Sequence, residues 1–282
     1  MGRVLVIGGT GTVGRNVVAQ LSERGEQVVV FARNPDAIAF TLQVEKVRGD
    51  LTMPETLEAG LHKVNGVFLT WTAPATAVRP ALERITKCAR RIVFLSAPLK
   101  TPHPLFQQPN AGRTLAEQIE YLIESSGCEW TFLRPGMFAP NSLEWWGPQL
   151  RLGNVVRWPY LSVPTAPIDE RDIAAVAVRA LCEQGHAKAE YVMTGPHSLT
   201  HFEQISTLGR VLGRSLQIEE MSPDEARTEL LTVMPSVVIE MLLNAWGAAA
   251  GVPALVTNTV AEVTGRPARA FAEWCIDNAA AF

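Results

Sequence analysis

Short runs of consecutive apolar residues recur along the chain: Val4-Leu5-Val6-Ile7, Val28-Val29-Val30-Phe31, Val67-Phe68-Leu69 and Ile92-Val93-Phe94-Leu95. A strand with one wet face alternates apolar and polar residues, so unbroken apolar runs predict strands covered on both faces, as in a parallel sheet flanked by helices. Between these runs the period changes. Val13, Val17, Val18 and Leu21 share one helical face, and segments near 75–89 and 111–126 read as further helices. Glu45 to Leu51 predicts a third strand, Pro54 to Leu61 a helix opened near Thr52, and Cys128 to Leu133 a sixth strand. Strand and helix therefore alternate from Arg3 to Leu133. That rhythm predicts an α/β fold, a Rossmann-like doubly wound parallel sheet with its ligand crevice at the carboxyl ends of the strands.

After Arg134-Pro135-Gly136 the pattern breaks, and the chain is rich in Pro, Trp and Gly up to Pro167. A return to the sheet is expected at Ala189 to Thr194, with helices over Thr200 to Gly213 and Pro223 to Gly247. The expected organisation is a dinucleotide-binding domain over 1–155, joined by a return segment near 168–195. A smaller, discontinuous lobe on the substrate side takes up 136–167 and 196–282.

Composition narrows the partners. With 47% hydrophobic and 19% charged residues and a net charge of −3, the chain has neither the basic excess nor the Lys/Arg clusters that nucleic acid or an anionic membrane surface requires. A small-molecule ligand is expected, with the protein a monomer or homodimer. No apolar run approaches the ~20 residues of a membrane span, and a cytoplasmic location is expected. Cys88, Cys128, Cys182 and Cys275 are scattered singly, which fits reduced thiols and not a zinc or disulfide framework.

The candidate chemistry begins where the first apolar run breaks into Gly8-Gly9-Thr10-Gly11-Thr12-Val13-Gly14. Strand, glycine loop and helix in that order make a phosphate site: the glycines permit the turn and a close backbone approach, and the helix N-terminus offers unpaired N–H groups. Gly8, Thr10, Gly11, Thr12, Val13 and Gly14 are the candidate loop. The second strand ends in Ala32-Arg33-Asn34-Pro35, with no acid before Asp36. An acid at that place accepts a ribose 2′-OH, whereas an arginine can pair with a 2′-phosphate, so Arg33 favours NADP(H) over NAD(H).

The spacing Gly8-x-x-Gly11-x-x-Gly14 resembles the short-chain dehydrogenase/reductase superfamily. The whole chain is similar to its NmrA-like atypical members, which include quinone oxidoreductase-like and azoreductase-like NAD(P)-binding proteins. The motifs that carry the resemblance include Gly49-Asp50-Leu51, Trp130 to Asn141, Thr194-Gly195-Pro196 and Glu262 to Pro267. The resemblance implies that Asp50, with Leu51 beside it, receives the adenine amino group. It also implies that Thr70 and Trp71 line the ribose and pyrophosphate side, that Ser96 lies near the nicotinamide ribose, and that Pro135, Gly136 and Met137 border the nicotinamide.

One departure bears on mechanism. The Tyr-x-x-x-Lys pair of typical members, in which lysine activates a phenol as proton donor, is missing: Tyr121, Tyr160 and Tyr191 are followed four residues later by Ser125, Pro164 and Gly195. His103, on the loop after the fifth strand, is the candidate proton donor. Glu117 and Glu120 share a helical face and form a second acid/base candidate. Phe138, Asn141, Trp145 and Trp146 are the candidate substrate contacts, with the tryptophans as a platform for a planar molecule. His197 and His201 have the spacing of helical metal ligands, but no third ligand accompanies them and no metal is expected. The expected function is hydride transfer from NAD(P)H to a planar conjugated acceptor, a quinone or an enone. The alternatives are a non-catalytic NADP(H)-sensing protein and an isomerase or cyclase using the same pocket.

Overall fold

The computed structural model describes residues 2–37 and 44–282. Its first half is the alternation expected: β1 (Arg3–Ile7), α1 (Thr12–Glu23), β2 (Gln27–Ala32), β3 (Glu45–Arg48), α2 (Glu58–Leu61), β4 (Gly66–Leu69), α3 (Val78–Cys88), β5 (Arg91–Leu95), α4 (Ala111–Glu124) and β6 (Glu129–Pro135). The chain then leaves the sheet through α5 (Asn141–Trp145), α6 (Gly147–Leu152), β7 (Val155–Trp158) and β8 (Pro164–Thr165), and returns through α7 (Glu170–Cys182) and β9 (Ala189–Met193). The remainder runs β10 (Leu199–Thr200), α8 (His201–Val211), β11 (Gln217–Glu220), α9 (Pro223–Glu229), α10 (Ser236–Ala249), α11 (Thr259–Thr264) and α12 (Phe271–Asn278).

Seven strands form one sheet in the order β3-β2-β1-β4-β5-β6-β9, and every pairing is parallel. This is the Rossmann-like doubly wound fold. Side chains alternate between its two faces, so Leu5 and Ile7 pack against α2, α3 and α4, while Val4 and Val6 pack against α1 and α7. The unbroken apolar runs are explained by this double cover. A third core is built around Trp145, Trp146, Trp158 and Trp246 in the lobe formed by α5, α6, β7 and α8 to α10.

Three elements depart from expectation. The helix expected over Pro223 to Gly247 is two helices, α9 and α10, joined by a 3-10 turn at Leu230–Thr232. Pro235, which has no N–H to give an interior turn, caps α10. The segment Pro54–Leu57 and the start of the helix at Ala75–Ala77 are likewise 3-10 turns. Nor are the buried strands purely apolar: Arg91 on β5 lies 8% exposed. Its guanidinium donates to the carbonyls of Ala180, Leu181 and Glu183 and pairs with Glu129 at 2.9 Å, and these partners stand in for the water lost on burial. No helix among the described residues is long and apolar enough to cross a membrane.

Candidate functional site

The glycine loop sits where β1 hands over to α1 at the centre of the sheet. Gly8 has φ of 82°, the left-handed region that a side chain disfavours. Gly11 caps α1 and has no side chain to bond the first-turn N–H groups, which are left for an external acceptor. Gly14 packs on the turn itself; a Cβ there would lie far inside contact distance of the Gly8 carbonyl. These are the separate tasks of a dinucleotide loop: turn, phosphate approach and close helix packing.

A cavity of about 240 Å³ opens on this loop, lined by Gly8, Thr10, Gly11, Arg33, Asp50, Leu51 and Thr70 among others. Thr12 and Val13 lie in the first turn of α1 behind it. Asp50 Oδ1 accepts the Thr52 N–H and the Thr52 hydroxyl, each at 2.8 Å, and these bonds hold its carboxyl below the usual carboxylate range. No hydrogen bond within the described residues uses Oδ2. Asp36, the nearest acid to Arg33 on that loop, is instead paired with Lys46 at 3.0 Å and Arg48 at 3.6 Å. Thr70 Oγ1 is buried at the cavity wall with no partner. An orphaned hydroxyl, a cradle that a Cβ would narrow and a bare helix N-terminus together fit the phosphates and ribose of a dinucleotide.

The second cavity, about 390 Å³, lies across the loop after β4, where Trp71 lines it and Thr70 and Thr72 to Pro74 line the first. Its floor is the carboxyl ends of β5 and β6, through Ser96 and Pro135 to Met137; its walls are the β5–α4 loop with Phe106, the start of α4 with Arg113, and α10 with Trp246. Ser96, Pro135, Gly136 and Met137 are thus on the floor of one apolar chamber. None of its lining residues is Tyr, His, Lys, Asp, Glu or Cys. Arg113 is the one ionisable group there, and its guanidinium is engaged by the carbonyls of Phe106 and Leu99 and by Glu117 at 3.3 Å.

Several candidate residues stand elsewhere. Trp145 and Trp146 are 7% and 0% exposed inside the lobe core and do not line the chamber. Trp71 and Trp246 do; Trp246, itself 0% exposed and part of the same core, meets Trp145 edge-on at 5.5 Å behind the chamber wall. Periodicity alone could not have separated them, because all of them lie on apolar faces. Phe138 bridges to Ile168 beside the sheet, and Asn141 opens α5, both outside the chamber lining. His103 is 8% exposed behind Phe106. Its Nδ1 accepts the Leu105 N–H at 3.2 Å and its Nε2 lies 2.8 Å from the Pro253 carbonyl, so both ring nitrogens are occupied and the ring is a cap, not a group facing the chamber.

The tyrosines are equally remote. Tyr121 is exposed, Tyr160 packs on the lobe core, and the Tyr191 hydroxyl bonds His186 at 2.7 Å. Glu117 and Glu120, one helical turn apart, separate: Glu117 is out in solvent with Arg113, whereas Glu120 is buried against Arg134 at 2.7 Å. His197 is exposed and His201 buried, and no group of three metal-ligating side chains stands together among the described residues.

Fold and loop define a nicotinamide-dinucleotide-binding α/β protein. A family model for NAD(P)H binding matches residues 8–184. The chain is 38% identical over 289 residues to a (4-alkanoyl-5-oxo-2,5-dihydrofuran-3-yl)methyl phosphate reductase of Streptomyces griseus, covering 99% of both chains. It is 34% identical over 288 residues to an NAD(P)H azoreductase of Xenophilus azovorans, again with 99% of both covered. The NADPH complex of an Escherichia coli NADPH-dependent quinone oxidoreductase superposes with a TM-score of 0.80 at 22% identity, over 96% of this chain and 98% of that one. The chain belongs to the NAD(P)H-binding family, among its NmrA-like, atypical short-chain dehydrogenase members.

Proposed function

We propose that the protein is an NADPH-preferring reductase that delivers hydride to a planar, conjugated acceptor such as a quinone or enone. The observation that carries this reading is the chamber beside the dinucleotide site: apolar, large enough for a flat molecule, and without an acid facing it. The bound nicotinamide would supply the hydride. This chain's own contribution is to hold the two planes together between the Pro135–Met137 turn and the facing wall of α10. Hydride addition places two electrons on the acceptor, and the proton that completes the reduction comes from solvent, which suits acceptors whose reduced form is a stabilised enolate or phenolate. Relatives named as an azoreductase and as a reductase of an oxo-dihydrofuran phosphate support the same class of chemistry.

Arg33 supports the preference for NADPH: it lines the adenosine-side cavity, while the acid that could have taken a ribose hydroxyl is tied to Lys46. Asp50, through its free Oδ2, would receive the adenine amino group. The test is NADPH consumption by the purified protein with a panel of quinones and enones, with reduced product measured alongside. One product per NADPH is expected; NADPH binding without turnover on any acceptor would overturn the reductase reading in favour of a sensor.

A further inference from the structure

Under the floor of the chamber lies a cluster of charges that its surroundings do not explain. Arg134, on β6, is 1% exposed and Glu120, on α4, is 4% exposed. The guanidinium meets the Glu120 carboxylate with two bonds, Nη2 to Oε2 at 2.7 Å and Nε to Oε1 at 3.2 Å. Its Nη1 donates to Glu190 at 2.6 Å, and Glu190 is met in turn by Lys100 at 3.2 Å. Burying such a pair costs more desolvation than most geometries return, so stability is a poor reason for its presence. What the pair does is hold a carboxylate at one place, under the chamber floor.

The Ser96 hydroxyl donates to Glu120 Oε1 at 2.6 Å. Both Glu120 oxygens also accept from Arg134, so the bond can only be donated by Ser96, and its single hydroxyl proton is committed downward, away from the chamber that Ser96 lines. The lone pairs left on Oγ are acceptors. Building on the dinucleotide reading above, we propose that Glu120 is a positioning residue: by fixing the Ser96 rotor, it makes Ser96 an obligate acceptor for an O–H or N–H donor on the nicotinamide half of the cofactor. Ser96 then orients the ring and does not protonate the acceptor. Arg134 serves the same end by holding the Glu120 carboxylate in place through its two bonds. In Glu120→Gln the amide oxygen turns to Arg134 and the amide N–H₂ faces Ser96, so the serine proton is displaced toward the chamber and the acceptor is lost.

The experiment measures dissociation constants for NADPH and for 2′,5′-ADP, which carries only the adenosine half, in the wild type, Ser96→Ala, Glu120→Gln and the double variant. Loss of one neutral hydrogen bond predicts NADPH binding about three- to tenfold weaker in each single variant. Binding of 2′,5′-ADP should be unchanged, and the double variant should be no weaker than the worse single one, since both remove the same bond. The reduced 3-acetylpyridine analogue of NADPH has no amide N–H. If Ser96→Ala costs nothing with it, the carboxamide is the donor; if the loss persists, a ribose hydroxyl is. An unchanged NADPH constant in Ser96→Ala, whose ion pair is intact, would overturn the proposal even if Glu120→Gln fails to fold. So would additive losses in the double variant. Absence of 2′,5′-ADP and NADPH binding in the wild type would instead overturn the dinucleotide reading beneath it.

Discussion

The imidazole of His103 is joined to the carbonyl oxygen of Pro253, 150 residues further along the chain, by a 2.8 Å hydrogen bond. With Nδ1 accepting the Leu105 N–H, the neutral ring carries its proton on Nε2 and clasps the β5–α4 loop to the segment after α10. The first is a wall of the acceptor chamber, and the second follows directly on α10, another of its walls. His103→Ala would leave the buried Leu105 N–H without its acceptor and break the bond to Pro253, and unfolding should be easier by about 1–3 kcal/mol. The expected kinetic result is a higher acceptor KM with little change in kcat, because no proton passes through the ring; a general acid would cost ~10²-fold in kcat. Denaturant melts paired with steady-state kinetics distinguish the two.

Gly11 and Gly14 should fail differently. Gly11 has φ of −81° and ψ of 174°, a backbone any residue adopts, and a Cβ there approaches the Gly8 carbonyl only to 3.3 Å. Gly11→Val should therefore fold normally and lose NADPH binding, since its side chain fills the phosphate cradle. Gly14→Ala must push α1 off the loop and should lose about 1–3 kcal/mol of stability as overpacking does. Calorimetric binding and thermal melts on both variants check this pair.

Arg33→Ala should erase a preference of at least ~10-fold for NADPH over NADH, about 1.4 kcal/mol, while leaving the NADH constant almost unchanged. Equal affinities for the two cofactors in the wild type would remove the role assigned to this residue.

His201 gives a pH signature to the lobe. It is fully buried among Trp158 and Trp246, donates from Nδ1 to the Tyr160 carbonyl at 3.0 Å, and leaves Nε2 without a partner. Burial pushes its pKa down from 6.5 to about 4. Between those values the unfolded chain binds the proton that the folded chain refuses, so stability is complete above pH 6.5 and falls as the pH is lowered toward 4. The full loss is on the order of 3 kcal/mol. His201→Asn, whose amide can still donate to Tyr160, should flatten the acid limb of a plot of melting temperature against pH; an unchanged limb would assign acid sensitivity to other groups.

Much of this protein was legible from one dimension because the features concerned are local. An apolar run of four residues, a helical stripe such as Val13-Val17-Leu21, and three glycines between them are set by neighbours in sequence, and strand, loop and helix follow from them wherever the chain is placed. The doubly wound sheet, the phosphate loop and the missing Tyr-x-x-x-Lys pair are all of this kind. What only the tertiary structure decided are questions of facing. Trp145, Trp146 and Trp246 are chemically alike, all lie on apolar faces and share one core; packing alone brought Trp246, and not the other two, up to the chamber wall. Glu117 and Glu120 are neighbours on one helix, yet packing against the sheet buried one beside an arginine of β6 and left the other in water. Ser96, Glu120 and Arg134 meet across 38 positions of sequence, and His103 and Pro253 across 150. Contacts of that range carry no local periodicity, because the energy that pairs them is realised only after the sheet has brought the strand ends together.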